Sequence, residues 1–144
     1  FCLESNRIEG EEGLNPHDLE VCEKAVTLGF KTLDDILTAH RLLTEHLHVN
    51  WSGKLRTVNV RVGNYHPPSW TKVPEEMDDL IIWLNQDEGV DSWDYHNEFE
   101  KVHPFQDFNG RMGRLIWLSL AVREGYKFQR PFLQEYYYQT LERV

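Results

Sequence analysis

Apolar residues recur along most of this chain at spacings of three and four, the pattern of helices with one buried face. Asn15-Pro16, followed by Leu19, Val21, Ala25, Val26 and Leu28, predicts an amphipathic helix that Gly29 ends. Thr32 is placed to cap a second, which carries Leu33, Ile36, Leu37, His40, Leu43 and Leu47. Pro74 opens a third, with Met77, Leu80, Ile81 and Leu84 on its apolar face. Ser92 is the expected cap of the helix that bears Trp93, His96, Phe99 and Val102 and then delivers His103. Asn109 starts a helix to about Arg123, and Pro131 starts a last one through Tyr136, Tyr137 and Tyr138. The stretch from Leu115 to Val122 is apolar almost all round, which places its helix at the centre of the bundle. One segment breaks the pattern: Thr57 to Gly63 alternates polar and apolar residues, as a strand does. The expected fold is an all-α bundle with a small β-ribbon.

Composition narrows the field. With 144 residues, 40% of them hydrophobic, the chain is expected to form one domain, 1–144, around a single core. A net charge of −9 argues against a nucleic-acid partner, which needs a basic face. It leaves room for a small nucleotide, since a local pair of arginines can work inside an acidic chain. Cys2 and Cys22 are too few for a disulfide framework, so a reduced, cytoplasmic protein is the expectation. No apolar run approaches the roughly 20 residues that cross a membrane. Because the chain starts at Phe1 rather than Met, an upstream targeting segment stays open.

The candidate chemistry is concentrated at 103–114, His-Pro-Phe-Gln-Asp-Phe-Asn-Gly-Arg-Met-Gly-Arg. Pro104 disfavours helical torsions at His103, so the preceding helix should stop there and release the imidazole into a loop. An imidazole with an ordinary pKa near ~6.5 suits general-base work on a hydroxyl, though a helix-ending histidine can also merely bond a carbonyl. The helix that follows offers free backbone N–H groups and partial positive charge at its N-terminus, a ready anion site. Asn109 is a good cap for it, and Gly110 lets a phosphate approach the main chain. Arg111 and Arg114 fall on neighbouring positions of its first turn, where cations oppose the helix dipole at roughly 0.3–1 kcal/mol each. A bound di- or triphosphate would remove that conflict through bidentate guanidinium contacts; pairing with the chain's carboxylates is the alternative. Asp107 is a single carboxylate in the same loop, and one carboxylate plus phosphate oxygens is a usual way to hold Mg²⁺. A lone aspartate before a helix can equally be a turn residue.

These twelve residues resemble the signature of Fic-domain proteins, HPFx(D/E)(G/A)NGRxxR, with every constrained position but one in agreement. The likeness extends to Arg56 through Gly63 and Pro67-Pro68, similar to the family's β-hairpin flap at 54–70, and to His96, Phe99 and Val102 before the motif. Gly125-Tyr126 and the later tyrosines are similar to its C-terminal helices. The resemblance implies a Fic-type helical bundle that transfers AMP from ATP to a Ser, Thr or Tyr hydroxyl of a target protein, with self-modification included. In that scheme His103 takes the hydroxyl proton and Asp107 holds Mg²⁺ against the phosphates. Asn109, Gly110, Arg111 and Arg114 bind phosphate oxygens, and Tyr137 and Tyr138 match positions near the nucleotide base. Phe105 is expected to pack inward. Phe108 departs from the pattern, which has Gly or Ala there, and its side chain must point away from a ligand or narrow the anion site.

Ser5 to Gly10 resembles the family's inhibitory motif, (S/T)xxxE(G/N), on a helix expected at 1–12. The resemblance implies that Glu9 pairs with Arg114 and competes with the γ-phosphate for one guanidinium. The implied activity is an autoinhibited protein adenylyltransferase, able in one version to reverse its own product. Two other readings stand beside it: phosphotransfer from another donor, such as another nucleotide or phosphocholine, and a nucleotide-binding regulatory protein without useful catalysis. Trp51 and Trp70, if exposed, would permit a homodimer interface.

Overall fold

The computed structural model describes residues 20, 23–24, 27–86 and 89–123, with side chains as far as Ala121. The helix expected at 1–12 with Glu9, and the one from Pro131 with Tyr137 and Tyr138, lie outside the described residues. Of the helix expected after Pro16, residues 20, 23, 24, 27 and 28 are helical and Gly29 turns the chain at a φ of 77°. The first complete helix, α1, spans Leu33–Thr44. Thr32 caps it: its hydroxyl accepts the Asp35 N–H at 3.1 Å while the Asp35 carboxylate accepts the Thr32 N–H at 3.3 Å. Ile36, Ala39, His40 and Leu43 form its buried face.

A turn of 3₁₀ helix at Trp70–Lys72 leads into α2, Val73–Gln86, with Pro74 in its first turn where a missing N–H costs nothing. Helix α3 spans Ser92–Val102, and its cap is Asp91 rather than Ser92. The Asp91 carboxylate accepts the N–H groups of Trp93 and Asp94 at 2.9 and 3.1 Å. Ser92 is instead the first helical residue and is buried. Helix α4, Asn109–Arg123, packs chiefly against α3. It buries Met112, Leu115, Ile116, Leu120 and Ala121, with Phe99 and Tyr95 of α3 in the same core.

Gly113 sets how closely the two helices approach. A Cβ there would meet the Glu100 carboxylate and come within 3.1 Å of the His96 ring. The His96 Nδ1–H donates to the Gly113 carbonyl at 2.7 Å, so an imidazole spans the crossing directly.

The β-ribbon expected at 54–70 is not formed by the described residues. That segment holds one isolated antiparallel bridge, Val62 to Tyr65, with N···O distances of 3.0 and 2.9 Å. Its backbone groups find side chains instead of a partner strand: the Arg56 guanidinium takes the carbonyls of Val58 and Pro68, and the Asn59 amide oxygen accepts the Trp70 N–H. Val58 and Val62 are left 45% and 44% exposed, so the alternating pattern has no core to face. No helix among the described residues is long and apolar enough to cross a membrane.

Candidate functional site

The loop between α3 and α4 is fastened at three points, each supplied by a residue distant in sequence or turned back on the loop. The first is at His103. Helix α3 ends one residue earlier, as Pro104 requires, and His103 takes a left-handed backbone with φ 51° and ψ 61°. Such a conformation costs a non-glycine residue roughly 1–2 kcal/mol, so neighbouring bonds must hold it. Its N–H donates to the Phe99 carbonyl at 3.1 Å, and its carbonyl accepts the Arg56 Nε–H at 2.7 Å. The same guanidinium donates to the Val58, Pro68 and Val102 carbonyls at 2.9, 2.6 and 3.3 Å, while the Arg56 main-chain N–H donates to Pro104 at 2.9 Å. Arg56 is 2% exposed, and burial lowers its pKa from the usual arginine value. Side chain and main chain together join the 56–68 segment to the end of α3.

The second point is His40 of α1. Gly53 donates its N–H to His40 Nδ1 at 2.9 Å, so the proton resides on Nε2, which donates to the Asp107 carbonyl at 3.0 Å. The ring lies flat on Phe105, with centroids 3.8 Å apart and planes 3° from parallel. Burial pushes the His40 pKa down to about 4, against the opposing pull of Asp107. His96 behaves alike: burial, with a smaller contribution from the nearby Arg114 charge, brings it to about 4. Both imidazoles are neutral braces rather than acid–base groups near pH 7.

The third point is Asn109. Its side chain does not cap α4; it reaches back, accepting the Phe105 N–H and donating to the Phe105 carbonyl, both at 2.8 Å. The amide thus closes the 105–109 bend like a backbone pair, and Phe105 is pressed inward at 0% exposure. The cap position falls to Phe108, whose carbonyl accepts the Met112 N–H at 3.0 Å.

The remaining site residues sit around this frame. Asp107 is exposed, and its Oδ1 accepts the N–H of the next residue, Phe108, at 2.7 Å, which orients the carboxylate. No group of three metal-ligating side chains occurs among the described residues. A single oriented, exposed carboxylate still suits Mg²⁺, which takes one or two carboxylates and fills its shell with phosphate and water. Gly110 and Arg111 are partly exposed at the start of α4, and Arg114, one turn further on, is 1% exposed. Phe108 also has a left-handed backbone, φ 67°, and its ring lies 3.5 Å from the Arg111 guanidinium carbon. Trp51 is half-buried against His40 and Phe108, whereas Trp70 is 42% exposed. His40 carries no motif of its own, and Arg56 entered only through the likeness of 56–63 to a flap. A histidine on the apolar face of α1 was the one available signal, since a buried imidazole must find partners.

Comparison with known proteins gives this loop its context. Residues 30–121 match the model of the Fic/DOC family. Over 102 residues the chain is 35% identical to the protein adenylyltransferase fic-1 of Caenorhabditis briggsae, across 66% of this chain and 20% of that protein. A crystal structure of a Fic family protein from Desulfovibrio desulfuricans G20 superposes with a TM-score of 0.60 at 30% identity, over 85% of this chain and 43% of its own. A Fic domain containing signaling protein from Bacteroides thetaiotaomicron VPI-5482 superposes with a TM-score of 0.71 over 99% of this chain and 69% of its own. Its 21% identity speaks for the fold alone. The chain spans about a fifth of the length of the nematode relative.

Proposed function

This chain belongs to the Fic/DOC family, and from that premise we propose that it transfers AMP from ATP to a hydroxyl side chain of a target protein, with self-modification among its products. The observation that carries this reading is the fastening of His103: a strained, partly exposed histidine whose carbonyl is held by Arg56. A base presented at a fixed position on a loop is what hydroxyl activation requires. In the reaction His103 accepts the hydroxyl proton, the oxygen bonds to the α-phosphorus, and the bond to the departing pyrophosphate breaks. Arg111, Arg114, Gly110 and the N-terminal N–H groups of α4 bind the phosphate oxygens as negative charge shifts to the leaving group. Asn109 serves by shaping the loop. Asp107 holds Mg²⁺, which supplies charge neutralisation at the phosphates. Tyr137 and Tyr138 approach the base, and the exposed 57–65 segment takes an extended target segment along its edge.

Glu9 regulates this site in the same reading. Its carboxylate competes with the γ-phosphate for Arg114, so ATP binds in a productive pose only when Glu9 withdraws. The motif at 5–10 and the burial of Arg114 support the assignment, because a buried guanidinium bonds a carboxylate or a phosphate more strongly than an exposed one does. Incubating the Glu9→Gly variant with ATP labelled at the α-phosphate and Mg²⁺ should raise self-modification above the unaltered protein. His103→Ala added to that variant should abolish the label. Label that persists would remove the base role, and no rise with Glu9→Gly would remove the inhibitory one. A mass spectrum after incubation with mixed nucleotides separates AMP transfer from transfer of another group by the mass added.

A further inference from the structure

Phe108 stands where a glycine would relieve the backbone, since its φ of 67° lies in the left-handed region. An aromatic side chain kept at such a position needs a compensating role for its ring. The ring is half-buried against the core, tilted at 41° to Trp51 with centroids 6.3 Å apart, and covered by the Arg111 guanidinium at 3.5 Å. At that distance the cation lies over the negative face of the ring, well within the range of a cation–π contact. Stacking uses only the face of the guanidinium. The N–H donors of a guanidinium lie in its plane, where they can take two oxygens of one phosphate together.

We propose that Phe108 is a positioning residue for Arg111, a ring platform that pre-orients the guanidinium for phosphate before the nucleotide arrives. This rests on the reading of Arg111 as a phosphate ligand. The platform offsets two costs. It removes the rotameric freedom that a long arginine would otherwise lose on binding. It also gives the cation a favourable contact at the positive end of α4, where the helix dipole opposes it. The bulk that seemed set to crowd the anion site is placed beneath the arginine, where it supports a ligand contact.

The test is a double-mutant cycle on ATP affinity, measured by titration calorimetry on the full chain with Mg²⁺. Phe108→Leu, which keeps an apolar side chain and loses the π face, should weaken ATP about three- to tenfold, the range expected when one long side chain must be ordered on binding. Phe108→Tyr should stay within about twofold of the unaltered protein, because the ring remains. Phe108→Gly, which relaxes the backbone, should weaken ATP as much as Phe108→Leu does. On an Arg111→Ala background, Phe108→Leu should add less than about twofold. Full affinity in Phe108→Leu or Phe108→Gly, while Arg111→Ala binds poorly, would overturn the platform and leave the phosphate role of Arg111 intact. An unchanged affinity in Arg111→Ala would overturn the phosphate role and the platform with it. An undiminished effect of Phe108→Leu without Arg111 would show that the ring acts on the loop alone.

Discussion

Lowering the pH from about 7.5 to about 5 should remove a large share of this domain's stability through two histidines that take no part in the proposed chemistry. His40 and His96 are held neutral by burial, with folded-state pKa values of about 4 against 6.5 for an unperturbed imidazole. The unfolded chain therefore binds protons between 6.5 and 4 that the folded one refuses, and stability falls as the pH drops through that window. Linkage at 6.5 and 4 gives about 2 kcal/mol per histidine at pH 5, or ~4 kcal/mol for the two if they act independently. Against a typical domain stability of roughly 5–15 kcal/mol this is decisive. The structural event is specific: a protonated His40 has no lone pair left for the Gly53 N–H, so the 51–53 turn and the Asp107 loop lose a shared anchor. Urea unfolding followed by circular dichroism at both pH values would show it, as a fall in midpoint of about 2 M for a slope near ~2 kcal/mol per molar. A variant carrying His40→Gln and His96→Gln should lose most of this pH dependence whatever its absolute stability. A stability that is flat within about 1 kcal/mol, or a slope the double variant retains, would refute the reasoning.

Other expectations follow from single contacts. Arg56→Met keeps the length of the stem but strands four carbonyls, and should cost roughly 2–4 kcal/mol and, on the proposed reading, lower transferase activity with it. Arg56→Lys should recover only part of that, because an ammonium cannot reproduce the fork; a thermal melt within about 2 °C of the unaltered protein would count against the clamp. Asp91→Ala should cost about 1 kcal/mol by uncapping α3, measured by the same melts. Gly113→Ala should destabilise by ~1–3 kcal/mol despite alanine's better helix propensity, since its methyl enters the contact between α3 and α4. A stabilised variant would show that the helices can separate cheaply.

Elements whose signals are local were legible in the sequence. Thr32 as a cap residue gave the start of α1, and Pro104 gave the end of α3. Asp91 and Ser92 are both good cap residues, and the choice between them fell to burial, which adjacent letters do not encode. Asn109 has the right type for a cap, but its side chain turned back because the 105–109 bend offered a buried N–H and carbonyl that nothing else satisfied. The alternating segment at 57–63 had strand periodicity without a partner strand or a covering layer among the described residues, and periodicity alone supplies neither. The motif at 103–114 was visible as chemistry. What holds it in shape was not, because Arg56 and His40 reach it across 47 and 67 residues and bond main-chain atoms. Main-chain partners leave no trace in the identity of the residues that provide them.

That last property of the Arg56 clamp has a practical side. All four carbonyls it grips, at Val58, Pro68, Val102 and His103, exist whatever side chains those positions carry. The clamp is blind to the letters of the segment it restrains. On the proposed reading, positions of 58–68 other than Asn59 and Tyr65, whose side chains bond Trp70 and Lys101, can be rewritten to dock on a different surface while the 103–109 loop keeps its register. On that reading, a domain wired in this way can change its target segment without rebuilding the loop that presents His103.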